Sequence, residues 1–307
     1  MVKSETIYYG GQAVLEGVLM RGKKAYAMAI RRPDGGIEMV EKTLSPISER
    51  YKVLKLPLVR GFVALCSSMA MGFSALSKSA EVALAEEEPP TSKFEKFMQD
   101  KLGNKFNDVL MTIAMVLAVV LAVGLFMLLP TFLASLIPAP DMLTTTVEGM
   151  VRICIFIGYI FIISRNKDIQ RTFQYHGAEH KAINCFEQNM ALTTENVMGC
   201  NRLHKRCGTS FLLVVMVVTM LLFMVVRIDG IWMRFASRIV LLPIIAGISY
   251  EISVKWAGKR DNWLVRAIIA PGMCIQRITT KEPDSKQVEI AVAALEQAIK
   301  QDEVQGT

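Results

Sequence analysis

The chain has 307 residues, an apolar fraction of 52% and a mean hydropathy of +0.36, which excludes a soluble domain of ordinary composition. Its 35 basic and 28 acidic residues leave a net charge of +7, but the basic residues flank apolar blocks without aromatic interleaving, which favours a membrane surface over nucleic acid. Six cysteines in a chain this long are not the disulfide framework of a small secreted domain.

In chain order, residues 1–50 read as a small Gly-rich β unit on the cytoplasmic side. The opening MVKSETIYYGGQ has no apolar h-region, so no cleaved leader is expected. GGQAVLEGVLMRG sets four glycines around a short apolar stretch, permitting positive φ or close backbone approach, and reads as a tight turn over a ligand contact, since dinucleotide and P-loop spacings are absent. AYAMAIRR and GIEMVEKTL flank PDGG and predict a β-hairpin. Residues 51–84 contain GFVALCSSMAMGFSALS, with Arg50, Lys52, Lys55 and Arg60 before it and Lys78, Lys93 and Lys96 after it. A crossing helix separates its flanking charges asymmetrically, so this segment is expected to be interfacial or re-entrant. Residues 85–106 read as a polar, Pro-containing linker.

Residues 107–257 are expected to hold four transmembrane helices. No charge occurs from Val109 to Pro140, and GTSFLLVVMVVTMLLFMVV is equally free of charge. About 20 apolar residues suffice to cross a bilayer. Two further blocks are interrupted, one by Glu148 and Arg152, the other by Glu251, which is expected to pair with Arg238 or Lys255. The basic residues of 165–207, and those after the last span, place these stretches inside; the connections near 138–148 and 227–234 are then outside. Both termini are accordingly expected in the cytoplasm, on a multi-pass protein of the cell membrane. Residues 258–307 supply an inner-face segment and a terminal helix, capped by Asp284 and Gln287, with Val288, Ala291, Val292, Leu295 and Ile299 on one apolar face. The fold class is therefore mainly α: a polytopic helical membrane protein with a small N-terminal β unit.

All three histidines of the chain fall in or beside one cytoplasmic loop, 165–207. YHGAEHK spaces His176 and His180 four apart, so on a helix both imidazoles share a face and can reach one metal ion. The H-x-x-E-H spacing is that of inverzincin proteases, whose carboxylate (here Glu179) is a general base. CNRLHKRC adds Cys200, His204 and Cys207, zinc-type donors in a reducing compartment. Three histidines with an open fourth position would make a catalytic site; two histidines with Cys200 and Cys207 would make a closed, structural one. Without metal, the same side chains could form a hydrogen-bonded polar cluster. Glu187 is expected to be solvated, and Thr209 and Ser210 to cap the following span.

Four stretches in this order, GGQAVLEGVLMRG, YHGAEHKAINCFE, NRLHKRCGTSF and QRITTKEPDSKQVEIAVAAL, resemble the YqhQ family of bacterial membrane proteins over nearly the whole chain. The resemblance implies a metal-dependent enzyme of unassigned substrate and carries over His176, Glu179, His180, His204 and Cys207. As an enzyme, the chain would hold a divalent metal, zinc by its donors, on His176, His180, His204 and Cys207. Glu179 would activate water to hydrolyse a membrane-proximal or lipid-linked substrate. As an accessory protein it would instead bind a membrane-protein partner through the β unit and terminal helix, and the cluster would be structural. Scarce intramembrane charge argues against a transporter.

Overall fold

The computed structural model describes residues 9–45, 50–83, 106–137, 141–226, 231–257 and 262–305. The expected linker over 85–106 lies outside these residues but for its last position, as do residues 138–140 and 227–230 of the two connections expected outside.

The N-terminal unit is an antiparallel four-stranded meander, β1 (Gly10–Val14), β2 (Gly17–Arg21), β3 (Ala25–Arg31) and β4 (Ile37–Thr43). The hairpin expected around PDGG is β3–β4, with Arg31 opposite Ile37 and Gly35 at φ +86°, where a side chain would be strained. The glycine-rich stretch before it is also a hairpin rather than a lone turn. Val14 pairs with Gly17, and Glu16 takes φ +52° in the connection.

Both faces of the two central strands, β2 and β3, are buried, with the period of two that strand geometry imposes. Val18, Met20, Ala27 and Ala29 point one way, into a core shared with α5 (Lys167–Glu187) and α10 (Ser285–Val304). Tyr175, Ile183, Val288, Ile290 and Leu295 fill that core. Leu19, Met28 and Ile30 point the other way, onto Ala75 and Val82 of α1 (Val59–Ala83). The expected capping box opens α10, with Asp284 accepting from the Gln287 amide at 2.8 Å. At the other end of α10, Asp302 accepts from the backbone N–H groups of Lys23, Lys24 and Ala25, clamping the β2–β3 turn. A shared apolar core places the sheet, α5 and α10 on one side of any membrane.

The remaining helices form the bundle. α2 (Phe106–Val123) passes through a π turn (Gly124–Leu128) into α3 (Leu129–Ser135). Pro130 cannot donate to the residue four before it, and the widened turn absorbs that loss. α4 (Asp141–Ile163) follows, then α5, the short α6 (Thr194–Gly199) and α7 (Gly208–Val225). α8 (Ile231–Tyr250) runs into a π segment (Glu251–Trp256), and α9 (Trp263–Thr279) precedes α10. Among the described residues, five stretches are long and apolar enough to span a bilayer: Val59–Ala83, Thr112–Ser135, Met142–Ile163, Gly208–Val225 and Ala236–Trp256. Large apolar side chains such as Leu121 (67% exposed) and Ile162 (70%) face outward, as lipid contact requires, and the chain is a membrane protein.

The charges inside the bundle are paired, but not as expected. Glu148 bonds Arg152 at 2.6 Å and also Arg238, whose other nitrogen donates to Thr131 at 2.5 Å. Glu251 feels the charge of Lys255, as one expected alternative had it, but its direct partner is Arg60 of α1, in a two-nitrogen fork at 2.7 and 2.5 Å. Distance along the helix explains the difference: Arg238 lies about 20 Å from Glu251 at 1.5 Å rise per residue, whereas the first turn of α1 packs beside the end of α8.

Candidate metal centre

α5 positions the first two candidate ligands. Asn166 caps it, its carbonyl oxygen accepting from the Asp168 amide at 2.7 Å, and the second half of the helix is buried. Its turn stacks His176 against His180, with ring centroids 4.4 Å apart. Gly177 between them has no side chain because the carbonyl of Lys281 occupies that space. This close approach brings Thr279 within reach. The Nδ1 of His176 lies 2.9 Å from the Thr279 carbonyl, and the Nδ1 of His180 lies 2.7 Å from that of Arg202. A carbonyl only accepts, so both rings carry their proton on Nδ1 and leave the Nε2 lone pair available.

Those lone pairs face Cys207. Its Sγ is 3.4 Å from the Nε2 of His176 and accepts from the Thr209 amide at 3.4 Å, making Cys207 the N-cap of α7. Thr209 and Ser210 therefore do not cap the span as expected; Ser210 Oγ instead accepts from Gln276 at 2.8 Å. One donor atom each from His176, His180 and Cys207 lies within 4.8 Å of the others. Ligand atoms at ordinary zinc distances stand about 3.3–3.8 Å apart, so the set needs a closure of about 1 Å. The second shell fits a metal as well, since each imidazole gives its other N–H to a backbone carbonyl. Burial, opposed by a hydrogen bond with Cys207, holds His180 below the usual imidazole range, in the neutral form that ligates.

Glu179 is 4% exposed, with Oε2 3.9 Å from the Nε2 of His176. Burial pushes its carboxyl above the usual range against the pull of His176, His204 and the backbone N–H of Gly11. Gly11 is the residue that admits it: a Cβ there would stand 2.7 Å from both Glu179 Cγ and the Leu19 carbonyl. The close backbone approach is one of the readings the sequence offers for these glycines, while Glu179 as the group admitted is not legible there.

His204 stands one ring further out, 5.7 Å from the His180 centroid. Its Nε2 faces Glu187 Oε2 at 3.4 Å, and Gln276 holds its backbone at both N–H (2.9 Å) and C=O (2.8 Å). Among the described residues, the metal-compatible group is thus His176, His180 and Cys207, with His204 adjacent. Glu187 is not simply solvated. Burial works against its charge, but the His204 hydrogen bond and the pairing with Arg206 hold its carboxyl below the usual range. Cys200 lies away from the group, in the apolar core beside Cys185, whose thiol burial and Cys200 push up to about 11.

A cavity of about 670 Å³ opens onto the group. His176, Glu179, Lys205, Arg206 and Cys207 are among its lining, with Gln12 of β1, Tyr250 of α8 and residues of α1, α7 and α9, apolar ones in the majority.

The sequence matches the family described as "Protein of unknown function (DUF1385)" over residues 56–301. It is 36% identical over 296 residues to a protein of Bacillus subtilis (strain 168) described as "Uncharacterized protein YqhQ", covering 95% of this chain and 92% of that one. No solved structure matches.

Proposed function

The chain belongs to the DUF1385 family, to which the YqhQ protein gives no activity to inherit, and from this premise and the site geometry we propose a membrane-bound, metal-dependent hydrolase. One observation carries the reading. Backbone carbonyls occupy both Nδ1 atoms, so two Nε2 lone pairs and a thiol converge beside a buried carboxylate. His176, His180 and Cys207 would hold the ion, with His204 in reserve beside them. When bound, a divalent ion supplies Lewis acidity at this position; the donor set suits zinc. Glu179, desolvated and held by Gly11, takes a proton from the attacking water and returns it to the leaving group as the scissile bond breaks.

The site would face the cytoplasm, because the basic residues of 165–207 are on its side of the bundle. α1 would then lie along the inner surface rather than cross. An even number of crossings must separate the sheet from α5, yet three candidate segments lie between them. Of these, α1 has its later turns packed on the sheet. Both termini would be cytoplasmic.

The test is metal content, by mass spectrometry, of tag-free protein in detergent. Wild type is expected to retain about one ion per folded chain, and a His176→Ala/His180→Ala double variant to lose it. Glu179→Gln should keep the ion and lose hydrolysis. Absence of metal after zinc titration would sink the proposal. Full cellular function in Glu179→Gln would point instead to a clamp: the cluster joins α5, the start of α7 and the 279–283 segment, as an accessory protein would require.

A further inference from the structure

We infer that the outer edge of β4 pairs with the same edge of a second copy of this chain, joining two sheets into one across a two-fold axis. β4 is the last strand of the meander, and among the described residues no strand lies beyond it. The hydrogen bonds that flank it fix which groups face outward. The Leu44 amide donates to the Lys24 carbonyl and the Arg32 amide to that of Gly36, so the even-numbered residues of β4 bond to β3. Ile37, Met39, Glu41 and Thr43 therefore turn their N–H and C=O groups away from the sheet. α1 packs on one face of the sheet and α5 with α10 on the other, which leaves this edge for a neighbour.

Charge selects the register and the partner. Glu38 and Lys42 stand on one face of β4, and their neighbours on β3 are Ile30 and Tyr26, which answer neither charge. Among the described residues, neither side chain has a hydrogen bond or ion pair of its own. An antiparallel copy centred on Val40 sets Glu38 against Lys42 of the second copy, and Lys42 against its Glu38. Ile37 then meets Thr43 and Met39 meets Glu41, and each of these pairs exchanges two backbone hydrogen bonds, using every outward group of the strand. A register centred on Met39 would set Glu38 against Val40, and one centred on Glu41 would oppose two carboxylates. Glu41 needs no cation across the seam, because Gln297 and Gln301 of α10 already donate to it. Charged residues are a common guard against edge pairing; here the two signs are placed so that they attract in one register. Ile37 and Met39, both exposed, also gain cover. The axis of this pairing stands perpendicular to the sheet. Two copies in one bilayer share an axis along its normal, which a sheet resting from the cytoplasmic side on an α1 laid along the inner surface, as proposed above, provides. A single edge is smaller than a standard interface, so confinement to the membrane supplies the local concentration it needs.

The test is disulfide trapping of the full chain in its own membranes, with the exposed Cys66, Cys154 and Cys274 replaced by alanine. At the centre of the register, Val40 faces its own copy in a non-hydrogen-bonded pair, with about 4.5 Å between Cα atoms, which a disulfide can bridge. Val40→Cys is expected to give a covalent dimer under mild copper–phenanthroline oxidation. Thr43→Cys, six residues from its copy along the strand at roughly 3.4 Å each, should stay monomeric. Glu38→Lys in the Val40→Cys chain should cut the dimer roughly fivefold, and the exchange Glu38→Lys/Lys42→Glu should restore it, which misfolding could not do. Val40 also packs on the core between the sheet and α1. Should Val40→Cys misfold, Glu38→Cys/Lys42→Cys gives the same pair geometry with no core side chain lost. Absence of a dimer from a folded chain overturns the inference, as do equal trapping at Thr43→Cys, a yield unmoved by Glu38→Lys or unrestored by the exchange, and a cross-link to a different protein. Metal content is read in the same samples and is expected to stay unchanged, so failure of the edge pairing and failure of the hydrolase reading are separate results.

Discussion

The membrane-side headpiece and the helical bundle are built on opposite rules. In the headpiece, Tyr175, Ile183, Val288 and Leu295 are sealed from solvent while polar groups line the outside. Water drives that arrangement. In the bundle, Leu121 and Ile162 look outward, and the inside holds Glu148, Arg152, Arg238 and Thr131. Lipid gives no hydrophobic reason for helices to meet, so polar bonds and close contacts must hold them. Gly61 of α1 against Gly247 of α8, and Gly272 of α9 against Ser210 of α7, are such contacts. The metal-compatible group sits at the seam of the two regimes: His176 and His180 come from the headpiece, and Cys207 begins a bundle helix.

Breaking the bundle's polar centre should cost most. Glu148→Ala leaves two guanidinium groups without their carboxylate, and a loss of about 3–5 kcal/mol is expected, read as a lowered unfolding midpoint in detergent. The same truncation then separates the regions. Leu295→Ala in the headpiece should cost about 3 kcal/mol, whereas Leu121→Ala on the lipid face should stay within about 0.5 kcal/mol. Equal costs at the two leucines would undo the contrast. Gly11→Ala probes the seam. Its Cβ meets a backbone carbonyl as well as Glu179, so a penalty of about 1–3 kcal/mol is expected, together with lower activity at retained metal content. The smallest effect belongs to Asp284→Ala, which removes one cap of α10 and about 1 kcal/mol.

The sequence made the bundle legible where it was free of charge, because a run of twenty apolar residues has few other uses. His176 and His180 were legible through helical spacing, and the His176–Cys207 contact through the donor types alone. Other features gave weaker signals. β1 escaped notice because glycines show no alternation of side chains. Thr279 and Arg202 contribute backbone carbonyls, which every residue possesses, so nothing in their side chains marks them. The partner of Glu251 is not legible because Arg60 is distant in sequence, and the contact of His204 with Glu187, 17 residues apart, follows no spacing that a sequence displays.

The clamp of Asp302 on the turn between β2 and β3 has a consequence for the order of synthesis. The sheet is translated before the described bundle helices, and the helix that covers it after them. Until then Val18, Met20, Ala27 and Ala29 have no complete cover. A chain cut short before Ser285 should accordingly remain open to protease within residues 17–31, while the finished chain resists. Closure of the headpiece thus waits on the synthesis of α10, behind the described bundle helices.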